Sequence, residues 1–128
     1  MEITLDTHSL IWYVDKGLNI KLSQKALHTI KEAENTAIIY IPIIVLMELL
    51  HLVEKGKANL SFSRLLLTLE ESSNYQIIPF DTRLLKIAQT LKGLEVHDRI
   101  ILATATLTNS PIVTKDKDMI GKGILTIW

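Results

Sequence analysis

The chain has 128 residues, 48% of them hydrophobic, with 14 Lys plus Arg balanced by 14 Asp plus Glu and no cysteine. A chain of this size buries roughly two-thirds of its unfolded surface, so one domain over residues 1–128 is expected. Zero net charge excludes a whole-molecule field that gathers nucleic acid, and the missing cysteines exclude disulfides and thiolate zinc sites.

The N-terminus has no basic stretch, and Asp6 and His8 interrupt its apolar start, which argues against a signal peptide. The apolar run Thr36–Met47 contains Pro42 and falls short of the ~20 residues that span a bilayer. A soluble cytoplasmic protein without a membrane partner is expected.

Short apolar runs at Ile3–Leu5, Ala37–Ile41, Gln76–Phe80, Pro111–Thr114 and Ile124–Trp128 read as strands. Helical patterns lie between them at Thr7–Asp15, Ser23–Glu34, Ile43–Lys55, Ser61–Ser72, Thr82–Lys92 and Arg99–Thr108. Alternating strands and helices predict an α/β fold with a parallel sheet covered on both faces, whose strands are continuously apolar. Ser23, Asp81 and Asp98 suit helix N-caps, and Gly56 and Gly93 suit helix ends.

Asp6 closes the first strand, at the sheet edge where open α/β folds build their sites. It reads equally as the cap of the next helix or as a site group. Glu48 sits in the apolar stretch Ile43–Val53, beside Ile44, Val45 and Leu52 on a helical wheel. The most apolar arc there is Ile43, Leu46, Leu50 and Val53, which leaves Glu48 half-solvated. Asp98 heads a stripe of Ile101, Leu102 and Ala105. Asp116 follows the fourth strand, with Asp118 as an outer partner; a charged surface loop is the plainer reading of both. Carboxylates gathered at one edge repel unless a cation neutralises them, and an oxygen-only set suits Mg²⁺ or Mn²⁺. Hydrolysis of phosphodiesters is the chemistry such a site performs.

Other motifs fall away. Glu48-Leu49-Leu50-His51 has the Glu-x-x-His spacing of di-iron bundles, but no second copy exists. Asp81 also follows a strand and is expected to cap Thr82–Lys92. A receiver-like phospho-acceptor would need paired acids after the first strand, where His8 stands instead. His8 and His97 adjoin key acids and read as ordinary hydrogen-bonding residues. Trp12 and Tyr13 could stack on bases, although packing is the commoner use.

Asp6-Thr7-His8, Leu46-Met47-Glu48-Leu49-Leu50, Asp98-Arg99-Ile100-Ile101-Leu102-Ala103-Thr104-Ala105 and Thr114-Lys115-Asp116, in this order, resemble the four blocks of PIN-domain ribonucleases. In length the chain is similar to the VapC-type toxins of toxin–antitoxin pairs. The resemblance implies a three-layer α/β/α fold around a central, mainly parallel five-stranded sheet, and Mg²⁺- or Mn²⁺-dependent cleavage of RNA. It makes Asp6, Glu48, Asp98 and Asp116 the catalytic quartet, with Asp6, Asp98 and Asp116 as metal ligands and Thr7 and Thr114 as supporting hydroxyls. Arg99 and Lys115 are candidates to hold the RNA backbone. An antitoxin and a second copy of the chain are the implied protein partners. Ahead of Glu48 the family often carries Ser or Thr, whereas this chain has Pro42-Ile43-Ile44-Val45. A catalytically silent interaction module of the same fold is the competing reading.

Overall fold

A computed structural model describes all residues, 1–128. Five strands form one sheet in which every neighbouring pair is parallel: β1 (Ile3–Leu5), β2 (Ile39–Pro42), β3 (Tyr75–Ile78), β4 (Ile112–Val113) and β5 (Thr126–Ile127). Their order is β3-β2-β1-β4-β5. The chain thus builds outward from β1 to β3, then returns to lay β4 on the other side of β1. That reversal makes the β1/β4 boundary a topological switch point, where the connections leaving the two strands diverge and open a crevice.

Six α-helices clothe the sheet: α1 (Thr7–Val14), α2 (Gln24–Thr36), α3 (Ile43–Glu54), α4 (Phe62–Glu71), α5 (Thr82–Ala88) and α6 (Val96–Thr108). Ile3, Thr4 and Leu5 are all 0% exposed, so the central strand is covered on both faces, as its unbroken apolar run requires. The Thr4 hydroxyl within this core is satisfied by Ser110 at 2.6 Å, and Ser110 by Thr108 at 2.8 Å. The main core joins strand residues to Leu10, Ile30, Leu49, Ile101 and Leu102, while Leu84 and Ala88 of α5 pack separately on Ala103 of α6. No helix is long and apolar enough to cross a membrane.

Several boundaries differ from the sequence expectation, each for a local reason. β3 stops at Ile78 rather than Phe80, because Pro79 has no N–H for the ladder. α2 continues to Thr36, which delays β2 to Ile39. α5 ends at Ala88 rather than Lys92, and the Arg99 side chain donates to the Ala88 carbonyl at 2.7 Å, closing the helix from outside. An unexpected 3₁₀ turn over Lys16–Lys21 follows α1; Asn19 Nδ2 donates to the Trp12 carbonyl at 2.6 Å and so finishes α1. β5 is confined to Thr126–Ile127 because Gly121 and Gly123, both at positive φ, keep the preceding chain turning.

α3 buries a different arc from the expected one. Val45, Leu46 and Leu49 enter the core, whereas Ile43 is 44% and Met47 58% exposed. The helix is apolar around most of its circumference, so its outer side is left to line a groove of about 600 Å³ with Phe62 and Leu66 of α4.

Candidate active site

The carboxyl ends of β1 and β4 open on a cleft of about 540 Å³ lined by Asp6, Glu48, Asp98 and Asp116, together with Thr7, His8, Trp12, Ile101, Lys115 and Lys117. Four stretches of chain deliver the acids. Asp6 leaves the last residue of β1 and Asp116 follows β4 by three residues. Glu48 comes from the second turn of α3, and Asp98 from the first turn of α6.

Asp6 serves as cap and as cleft residue together. Its Oδ1 accepts the Ser9 amide at 2.9 Å, which caps α1. Its Oδ2 accepts the Thr114 hydroxyl at 2.5 Å. Thr114 Oγ1 in turn accepts the Asp116 amide at 3.0 Å, so one buried hydroxyl ties the ends of β1 and β4 together. Ser9 adds a second tie through its hydroxyl, 2.7 Å from the Val113 carbonyl.

Glu48 lacks a hydroxyl on its own helix, and the structure supplies one from elsewhere. Thr7, 5% exposed on α1, donates to Glu48 Oε1 at 2.8 Å. His97 Nδ1 lies 3.6 Å from Glu48 Oε2 and equally far from Glu95 Oε1. His97 therefore bridges α3 and α6, a contact that sequence adjacency to Asp98 did not reveal.

Asp98 is not the cap of α6. Glu95 takes that role, accepting the amides of His97 and Asp98 at 3.1 and 3.3 Å. Asp98 is thereby left free to turn its carboxyl into the cleft, above buried Ile101 and Leu102. Partial burial, followed by a hydrogen bond with Asp116 and the charges of Asp116, Glu95 and Glu48, pushes its pKa up to about 7. Burial and the neighbouring acids thus favour the protonated form of Asp98.

The donor set is oxygen-only, mutually repulsive and partly withdrawn from water, which suits a hard divalent cation. No three of the acids and histidines are drawn together tightly enough to form a ready-made cage.

Other expected residues lie elsewhere. Arg99 does not line the cleft; its guanidinium is spent on the carbonyls of Ala88 and Gln89. The Asp118 side chain is exposed and outside the cleft, and only its backbone amide, 2.9 Å from Asp116 Oδ1, reaches the site. Asp81 caps α5 and pairs with Arg83, as expected of a bystander. Tyr13 turns away, its hydroxyl donating to Glu34 at 2.9 Å. Lys115 is at the cleft, and Lys117 and Trp12 join it.

A model of the PIN-domain family matches residues 3–123. No match is found among the curated proteins. Among solved structures the fold is similar to a chain of VapBC2 from Rickettsia felis, bound to a DNA fragment from its promoter, with a TM-score of 0.73 and 20% identity over 98% of this chain and 97% of that one. It is also similar to a chain of a toxin–antitoxin complex from Klebsiella pneumoniae, at TM-score 0.62 and 24% identity over 94% and 92%. FitAcB from Neisseria gonorrhoeae gives TM-score 0.65 and 19% identity over 97% and 95%. With nearly its whole length covered by the family model, and the parallel sheet and crevice built as described, the chain belongs to the PIN-domain family.

Proposed function

We propose that the chain is a Mg²⁺- or Mn²⁺-dependent endoribonuclease, acting in the cytoplasm as the toxin of a toxin–antitoxin pair. The observation that carries this reading is the convergence of Asp6, Glu48, Asp98 and Asp116 on one cleft, crowded enough to push the pKa of Asp98 up to about 7. Asp6, Asp98 and Asp116 would hold the cation. When bound, the cation lowers the pKa of water and offsets charge on the phosphoryl group.

The protein's own groups do the positioning. Thr114 fixes Asp6 against β4, and Thr7 fixes Glu48 Oε1; Oε2, 3.6 Å from His97 Nδ1, is the oxygen that would accept a proton from water. Water attack on phosphorus with rupture of the bond to the 3′ oxygen leaves a 5′-phosphate and a 3′-hydroxyl. Lys115 and Lys117, exposed at the rim, neutralise backbone phosphates locally where the net charge of the chain offers nothing.

An antitoxin partner is supported by the similar folds found in toxin–antitoxin complexes. The exposed Ile43 and Met47 of the α3/α4 groove give such a partner an apolar surface. Co-expression of the adjacent open reading frame should relieve growth arrest caused by this chain.

The activity test is RNA cleavage by purified protein with Mg²⁺ and with EDTA. Wild type should cut only with metal, and Asp6→Asn and Asp98→Asn should each lose more than the ~100-fold that removal of an outer partner can cost. Metal-independent cutting, or full activity in either variant, would sink the assignment. A wild-type chain that neither cuts RNA nor binds Mn²⁺ would instead be the silent interaction module.

A further inference from the structure

We infer that Trp12 is a stacking platform for an unpaired base of single-stranded RNA beside the acidic cleft, an inference that rests on the reading of RNA as substrate. Trp12 packs against the main core without entering it, and it shares the cleft with Asp6, Asp98 and Asp116. Apart from Ile101, it is the one large apolar side chain there. Its ring therefore meets both the core and the charged groups of the cleft.

The surroundings of the ring point the same way. His8, one turn earlier on α1, lies 5.4 Å from it and is tilted by 45°. Trp128 meets it edge-on at 5.9 Å and 62°. That contact fixes the plane of the ring before any ligand arrives, so little side-chain freedom is lost on stacking. The ammonium groups of Lys21 and Lys115 lie 5.8 and 6.0 Å from the ring centre, within cation–π range. Both lysines are exposed and long. A base can take the ring while each ammonium swings to an adjoining phosphate.

Selectivity follows from this chemistry. Every base has a π-face, so the platform orients RNA without reading its sequence. Bases in a duplex are already stacked and paired, so the platform favours single strands and loops. It would hold one nucleotide next to the phosphate presented to the acids.

Binding of a fluorescein-labelled single-stranded oligoribonucleotide by the whole Asp6→Asn protein with Mg²⁺, which keeps the RNA intact, tests the inference. In that background Trp12→Ala should weaken binding by roughly 5- to 150-fold, the worth of one base–aromatic stack, while Trp12→Phe keeps most of the affinity. Should Trp12→Ala fail to fold, Trp128→Phe leaves Trp12 as the sole tryptophan, and the oligonucleotide should quench its emission. Equal affinity of the Ala, Phe and Trp proteins, Trp12 emission unmoved at saturating RNA, or no binding at all overturns the platform. Trp12-dependent binding by a chain that cuts no RNA with Trp12 and Asp6 intact would remove the nuclease reading and keep the platform. Cutting by that chain with Trp12-independent affinity would do the reverse.

Discussion

Glu95 accepts the two amides at the head of α6 that Asp98 would otherwise cap, and this exchange of duties releases Asp98 into the cleft. The release has a thermodynamic consequence in metal-free protein. Folded Asp98 holds its proton up to about pH 7, whereas the unfolded group loses it near its ordinary 3.8. Between these values the folded state binds more protons, so stability falls as pH rises. Melting temperatures in EDTA from pH 4 to pH 8 should therefore decline for wild type relative to Asp98→Asn, with the variant the more stable at pH 8. A parallel pair of curves would contradict the crowding of the acids. Thr7 is the other telling residue, since its hydroxyl supplies Glu48 with the support missing from Pro42-Ile43-Ile44-Val45. Thr7→Val should slow cleavage by ~10–100-fold, the usual loss when an outer partner of a metal site is removed, and mainly in kcat. Unchanged kcat would mean that Glu48 is oriented by His97 alone.

At the level of elements, the order of strands and helices was legible because the strands are short apolar runs, the central ones (β1, β2 and β4) largely buried, and each helix carries its own pattern. The place of Asp6 at the sheet edge was legible for the same reason, as a charge that ends an apolar run, whereas Asp116, two residues beyond the Pro111–Thr114 run, looked as much like a surface-loop residue. What the sequence hid depends on contacts between distant segments. Glutamate ranks below Ser, Thr, Asp and Asn as a cap, so local propensity pointed to Asp98 and missed Glu95. Arg99 looked like a phosphate ligand until α5 was found to end on its guanidinium. α3 is apolar nearly all round, so its sequence could not say which arc meets the sheet. The burial makes the difference measurable. Leu49→Ala, at 0% exposure, should cost about 2–5 kcal/mol, while Met47→Ala, 58% exposed, should stay within about 0.5 kcal/mol. Urea denaturation of the two variants separates them, and similar losses would mean that the outer groove is covered.

Across the whole molecule, one topological reversal accounts for the position of the site. β4 returns beside β1, so residues more than a hundred positions apart, Asp6 and Thr114, are joined by a single hydrogen bond. The central claim is that the four acids so gathered form one divalent-cation site, in which the cation competes with a proton for Asp98. Calorimetric titration of metal-free protein with Mn²⁺ at pH 7, repeated in buffers of different ionisation enthalpy, tests this most directly. The account predicts saturable binding by wild type with release of a proton fraction to the buffer, and loss of both the affinity and the proton release in Asp98→Asn. Absence of binding by wild type, or identical isotherms for the two proteins, would contradict it.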